Sequence, residues 1–232
     1  MEKNFNKIVI VVPAYNEEKN IEKVINEVKP LVDELVIVDD GSNDRTFELA
    51  EKQGVTVLRH LINRGQGAAL QTGDEYALNN QADIVVHFDA DGQFLPREIK
   101  EIILPIQNGE ADAVFGSRFL GKKSEIPRFK KIIIYPLAGL INKILINVSL
   151  TDPQNGFRAL SRKALEKITI ENDGMAHCSE ILYKVFKNKL IIKEVPITVI
   201  YHDFGQGLFK GRGRGTGGFR IIKDLLLAKL MN

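Results

Sequence analysis

Five short apolar runs, each followed by a polar cluster and then by a helical pattern, confine this chain of 232 residues to one broad class of fold. The first run, residues 8–12 (IVIVV), is unbroken and β-branched, as suits a strand covered on both faces. Further strands are expected at 35–38, 55–58, 84–88 and 111–116. Helices are expected at 17–28, 44–53, 66–78 and 96–107, the last with a proline near its start. Within 17–28, Ile21, Val24, Ile25 and Val28 recur at helical spacing. Strands alternating with helices of about 10–15 residues imply an α/β fold with a mostly parallel sheet and helices on its faces. Such sheets bind ligands beyond the carboxyl ends of their strands. The clusters PAYNEE, DDGSNDRT, RGQG, DADGQ and SRF all fall at those ends and so converge on one edge.

The remainder of the chain has another character. Residues 132–150 are apolar with Lys143 as the single charge, broken by Pro136 and Gly139. They fall short of the roughly 20 apolar residues of a membrane span and suit a buried core helix or an interfacial one. DPQNGFRALSRKAL reads as a turn leading into a strand and a helix. A further helix is expected at 176–186 and a strand pair around Pro196 within 191–201. Residues 205–218 hold seven of the nineteen glycines, together with Lys210, Arg212 and Arg214, and are expected to form a mobile basic loop. Residues 219–231 read as a basic amphipathic helix.

Composition narrows the classes further. With 44% hydrophobic and 27% charged residues, the chain has an ordinary globular balance. One cysteine, Cys178, excludes an internal disulfide and a cysteine zinc cluster, and reads as intracellular. The first apolar run is too short for a signal peptide and is followed by acids where a cleavage site would lie. The net charge of +2 hides a split: residues 1–116 carry 11 basic and 21 acidic side chains, and residues 117–232 carry 21 basic and 9 acidic. Opposed halves of −10 and +12 point to a charged ligand or surface.

Asp89-Ala90-Asp91, then Gly92 and Gln93, closes the strand IVVHF. Two carboxylates two residues apart at a strand end can face one divalent cation, with Gln93 adding a neutral oxygen. An acidic turn capping the next helix is the plainer alternative. Asp39 and Asp40 follow the strand ELVIV; they suit hydrogen bonds to a ribose or base N–H, or equally a turn, with Asp44 capping the helix beyond. Tyr15 offers a face for stacking a base and Glu17 an acceptor, although acids are also favoured at a helix start. Arg64-Gly65-Gln66-Gly67 precedes a helix and can bind phosphate, but Leu70 stands where a dinucleotide fingerprint needs glycine. Arg118, after Ser117, suits a phosphate or a plain surface position. The four histidines show no metal spacing, and no Ser-His-Asp order is legible.

VVPAYNEEKNI, VDDGSNDRT, NRGQGAALQTG, FDADGQFLP, GSRF and DPQNGFRAL occur in this order after alternating strands. The set resembles the family 2 inverting glycosyltransferases of the GT-A fold, most of all the polyprenyl-phosphate sugar synthases, over residues 7–200. The resemblance implies Mg²⁺ or Mn²⁺, a nucleotide-diphosphate sugar donor and a polyprenyl phosphate acceptor in a membrane, with nucleic acid not among the partners. Pro13, Tyr15, Glu17, Val38 and Asp40, with Asp39 beside them, match its nucleotide-binding positions. Asp89, Asp91 and Gln93 match its metal motif, and Ala90 and Asp91 its donor contacts. Arg118 matches an arginine near the donor diphosphate and acceptor phosphate. Ser117, Asn155, Arg158, Glu180, Lys210 and Arg212 fall on the acceptor side. Asp91 and Arg118 are the expected catalytic residues.

These readings imply a GT-A domain over residues 1–204, with 1–116 as the nucleotide-sugar half and 117–204 as the acceptor half. A flexible loop (205–218) and an amphipathic helix (219–232) would follow. Many relatives carry transmembrane helices at this end, so the chain is expected to act peripherally at the cytoplasmic face of a membrane, through its basic half. A phosphate acceptor is largely dianionic near neutral pH and needs no strong general base. A hydroxyl acceptor would need a carboxylate, for which Glu180 is the candidate. A non-catalytic nucleotide-sugar-binding module is a third possibility.

Overall fold

The unbroken apolar run at the start becomes β1 (Ile8–Ala14), an inner strand of a seven-stranded sheet. The structure is a computed structural model that describes residues 7–121 and 150–200. The segments expected at 205–218 and 219–231 therefore lie outside the described residues, as do all but the last residue of 132–150 and Lys210 and Arg212. Ile10, Val12 and Ala14 enter the apolar layer on one face of the sheet, and Val9 and Val11 the layer on the other. Burial on both sides is why the strand does not alternate with polar residues.

β2 (Glu34–Asp39), β3 (Thr56–Arg59) and β4 (Ile84–His87) run parallel to β1 or to each other in the order β3-β2-β1-β4. β6 (Arg158–Ser161) inserts next to β4, antiparallel to it and to β5 (Ala113–Ser117). β7 (Ile192–Pro196) lies parallel to β5 at the far edge. The expectation of a mostly parallel sheet holds, with β6 the one reversed strand among the described residues. Because β6 is reversed, the turn before it arrives at the carboxyl edge of β4, where His87 pairs with Arg158.

α1 (Ile21–Val28), α2 (Thr46–Lys52) and α4 (Ile99–Gln107) cover one face. α3 (Gln66–Asn79), the single turn α5 (Arg162–Leu165) and α6 (His177–Lys187) cover the other. α3 lies unusually close to β1: a β-carbon on Gly73 would stand 2.2 Å from Val11 Cγ1. The glycine at 73 is thus required by this packing.

Two differences from the sequence reading have a local cause. The helix expected from residue 17 starts at Ile21, because Glu17 O accepts from both Asn20 N and Ile21 N at 2.9 Å and residues 17–20 close a turn. The strand pair around Pro196 is one strand, β7, followed by an isolated antiparallel bridge from Val199 to Phe94. That bridge ties the segment after β7 to the loop after β4.

Candidate active site

The loops after β1 and β2 are laced to each other. Asn16, in the left-handed region at φ 56°, donates its N–H to Ser42 Oγ at 2.9 Å, and Glu17 N donates to Thr46 Oγ1 at 2.7 Å. Asn43 N in turn donates to Asn16 Oδ1 at 2.9 Å. These bonds leave the Tyr15 ring half-exposed above β1, while Pro13 and Val38 lie buried side by side in register. Asp44 accepts from Thr46 N at 2.9 Å and Glu18 N at 3.2 Å, so it serves both the helix start and the neighbouring loop.

Asp39 and Asp40 have different surroundings. Asp39 is fully buried, with Arg59 Nε 3.1 Å from its Oδ2. Asp40 faces the loop after β3: its Oδ1 meets His60 Nδ1 at 2.7 Å and Arg64 N at 3.0 Å, and its Oδ2 accepts from Gly65 N at 2.7 Å. His60 reaches Thr72 Oγ1 through its other nitrogen at 2.9 Å. Asp40 thus sets the shape of the RGQG loop. Gly65, at φ 119°, and Gly67 press that loop onto residues 172–173, where a β-carbon would meet Asp173 O or Asn172 O at 2.2 or 1.9 Å.

The DADGQ loop leaves β4 over a cluster of three rings. Phe88 meets Phe94 and Phe157 edge-on at 5.7 and 5.3 Å, and Phe94 stacks on Phe157 at 5.1 Å. Gln93 N donates to Asp91 Oδ1 at 3.0 Å, and Gly92 takes φ 71° to make that turn. Gln66 Nε2 donates to Asp89 Oδ1 at 2.8 Å. Burial, and then the charge of Asp91, push the Asp89 carboxyl up to about 7. Glu17 is raised as well, by burial and by Asp91 and Asp44. Burial and the neighbouring charge of Asp91 thus raise both Asp89 and Glu17, a crowding of acids that fits a divalent cation with hard oxygen ligands. No group of three His, Cys, Asp or Glu converges on one point among the described residues, so remaining ligands would have to come from a bound phosphate or water.

Beneath Asp89 lies a charged cluster. Arg158 is 1% exposed; its Nε donates to Gly156 O at 3.1 Å, and one terminal nitrogen lies 3.2 Å from Cys178 Sγ. Its other terminal nitrogen is buried without a hydrogen-bond partner. His177 donates Nδ1–H to Gly174 O at 2.8 Å and sets Nε2 3.4 Å from Cys178 Sγ. Burial opposes ionisation of the thiol, but His177 and Arg158 outweigh it and bring Cys178 down to about 6. Arg158, expected at the acceptor, is in place a buried counter-charge under the acidic loop.

Arg118 reaches the same edge from the end of β5. Asp152 grips it with two side-chain bonds of 2.6 Å and accepts its N–H at 3.1 Å. Asn155 Nδ2 donates to the same Asp152 at 3.1 Å, while Asn155 Oδ1 accepts from Phe157 N at 2.9 Å. Ser117 Oγ pairs with Thr151 Oγ1 at 2.6 Å and receives Phe119 N at 3.2 Å. Ser117 and Asn155 thus shape the turn that orients Arg118. Glu180 is committed elsewhere: it accepts from Glu171 N and Asn172 N at 2.9 and 2.8 Å and pairs with Lys184 at 2.8 Å. Gln66, His60, Asp152 and Gly156 were not among the expected site residues. Gln66 lies inside the motif NRGQGAALQTG, Asp152 and Gly156 lie inside DPQNGFRAL, and His60 lies just before the first of these.

The model of the family described as glycosyl transferase family 2 matches residues 9–169. A UDP-N-acetylglucosamine–dolichyl-phosphate N-acetylglucosaminyltransferase of Methanococcus voltae is 37% identical over 96% of this chain and 96% of its own. The polyprenol monophosphomannose synthase of Mycolicibacterium smegmatis is 27% identical over 94% of this chain and 86% of its own. Among solved structures, glucosyl-3-phosphoglycerate synthase of Mycobacterium tuberculosis, in complex with Mn²⁺, UDP and glucosyl-3-phosphoglycerate, superposes with a TM-score of 0.69 at 26% identity. That match covers 97% of this chain and 78% of the other.

Proposed function

This chain belongs to glycosyl transferase family 2, and on that premise we propose that it transfers a sugar from a nucleotide-diphosphate sugar to a polyprenyl phosphate, with inversion. The observation that carries this reading is the opposition of charges at one sheet edge. Asp89 and Asp91 gather acidic side chains after β4, where burial and the charge of Asp91 raise the Asp89 carboxyl, while Arg118 is a fixed cation clamped by Asp152. The names of the relatives, which act on dolichyl phosphate or make polyprenol monophosphomannose, support a lipid phosphate as acceptor.

Asp89, Asp91 and Gln93 would hold Mg²⁺ or Mn²⁺, which supplies neutralisation of the charge that grows on the leaving diphosphate. Tyr15 stacks the base, and the laced loops carrying Pro13, Glu17, Val38, Asp39 and Asp40 surround the nucleoside. An acceptor phosphate oxygen attacks the anomeric carbon as the bond from that carbon to the diphosphate breaks on the opposite face. The electron pair leaves with the nucleotide diphosphate, and Arg118 orients and stabilises phosphate oxygens across the step. No base is required, because a phosphate monoester is already largely dianionic near neutral pH. A hydroxyl acceptor would need Glu180 as base, and the bonds that Glu180 makes disfavour that route.

We place residues 1–204 in one catalytic domain, with the basic stretch beyond it serving attachment to the cytoplasmic face of a membrane. No helix among the described residues is long and apolar enough to cross one. The test is a mass-spectrometric screen of nucleotide sugars against short polyprenyl phosphates, with and without Mg²⁺ or Mn²⁺. The expected product is a metal-dependent glycosyl phosphate that Asp91→Asn abolishes while the circular dichroism is unchanged. Transfer to hydroxyl acceptors only would overturn the reading.

A further inference from the structure

We propose that Leu61 and Ile62, at the tip of the loop after β3, insert into a lipid surface and seat the site edge of the sheet against it. The inference builds on the lipid-phosphate acceptor proposed above. It adds a contact that lies within the nucleotide half, apart from the basic stretch at the other end of the chain.

Leu61 is 101% exposed and Ile62 71%, the two highest values for any large hydrophobic side chain among the described residues. Their exposure does not come from a loose loop. His60 on one side is fixed between Asp40 and Thr72, and Arg64 N and Gly65 N on the other side are fixed to Asp40. The backbone between them rests on Gly41, where a β-carbon would stand 2.7 Å from Asn63 N and from the Ile62 carbonyl carbon. Gly67 N donates to Asp173 O at 2.8 Å and ties the base of the loop to the segment before α6. Met175, 46% exposed, follows directly on that segment in the chain. A held scaffold thus presents adjacent apolar groups to solvent, on the edge that carries Asp89 and Arg118.

The shape of this feature selects the partner. A stable protein interface buries about 1,200–2,000 Å² with matched pockets, which two side chains on a projecting tip do not supply. A bilayer interface demands no matching surface, and each apolar side chain that enters it contributes separately. The cations beside the tip are already engaged: Arg59 with Asp39 and over the Phe47 ring, Arg64 with Asp173. Attachment at this point therefore rests on apolar burial, whereas attachment through the basic residues 205–232 is charge-driven. The two respond differently to salt.

The chain contains no tryptophan, so Leu61→Trp introduces a single indole. The full chain carrying it is mixed with vesicles of phosphatidylcholine and phosphatidylglycerol. The expected result is a blue shift of its emission and quenching by lipids brominated on their acyl chains, both persisting in high salt. The double variant Leu61→Asp, Ile62→Asp should lower vesicle partitioning in high salt roughly ten-fold, yet leave transfer to a water-soluble, short-chain polyprenyl phosphate unchanged. Emission unaltered by vesicles overturns the proposal. So does emission already shifted before vesicles are added, since the tip would then be covered by protein, either this chain or a second copy. If no polyprenyl phosphate is glycosylated at all, the function reading fails while the indole still reports whether the tip enters lipid.

Discussion

A β-carbon on Gly156 would stand 2.6 Å from Asp89 Oδ2, so the turn before β6 accepts this carboxylate only because residue 156 has no side chain. Gly156→Ala must therefore displace either the turn or Asp89. Groups that orient a metal ligand typically cost 10–100-fold when disturbed. The expectation is a loss of roughly that size in Mn²⁺ affinity, read by calorimetry, and in kcat/KM, with far-ultraviolet dichroism unchanged. Normal Mn²⁺ affinity in a folded Gly156→Ala protein would show that Asp89 does not meet the cation in this orientation.

The proton on Asp89 gives a pH signature with a definite sign. Burial and the Asp91 charge hold it up at about 7 in the metal-free protein, against about 3.9 for an unfolded aspartate. Between those values the folded chain keeps a proton that the unfolded chain has released, so folding stability falls as pH rises through the window. Denaturant midpoints of the metal-free chain should decline from about pH 4 to about pH 7, and Asp89→Asn should flatten the decline. Mg²⁺ affinity should rise over the same window as the proton is displaced. A midpoint that rises with pH in wild type but not in Asp89→Asn would contradict the assigned direction.

Arg118 owes its aim to Asp152, which is 1% exposed and holds it by two bonds of 2.6 Å. Removing one partner of a buried pair costs about 3–5 kcal/mol, and the low end is expected for Asp152→Asn because Asn155 and the turn remain. Kinetically, the KM for the acceptor should rise while that for the donor stays near wild type, since the clamp acts on the phosphate-orienting arginine alone. Arg118→Lys should give the same split, because an ammonium makes one bond where the guanidinium fork makes two. A rise in the donor KM with the acceptor KM unchanged would place Arg118 on the donor instead.

How much of this was legible beforehand depends on what each feature required. β1, β2 and β4 are covered on both faces, so their apolar runs stood out, and the rule that ligands bind beyond strand ends brought five loops together. The reversed direction of β6 left no mark, because a four-residue buried strand reads the same either way. Pairings across the chain were silent as well. Asp152 lies 34 positions from Arg118, Gln66 lies 23 from Asp89 and Cys178 lies 20 from Arg158. Spacing rules reach only a turn of helix or a pair of strand positions. The acids at 17 and 18 resembled a helix start because acids are favoured there, whereas the bonds from Glu17 N to Thr46 Oγ1 and from Glu18 N to Asp44 make them part of a turn.

Glu180 separates the two kinds of acceptor. As the lone acid in the segment between Gly174 and Val185, it is the residue a hydroxyl acceptor would depend on. Both of its oxygens are occupied, one by Glu171 N and Lys184 and the other by Asn172 N, in the segment against which the RGQG loop packs. Glu180→Gln retains one acceptor oxygen and loses the charge that pairs with Lys184. A stability loss of about 1 kcal/mol is expected, visible as a modest drop in denaturant midpoint. Turnover with a polyprenyl phosphate should stay within about two-fold of wild type, since an activating base contributes typically 10²–10⁴-fold when one is used. A hundred-fold loss of kcat in a folded Glu180→Gln protein, restored by raising the pH, would identify it as a base and shift the assignment to a hydroxyl acceptor.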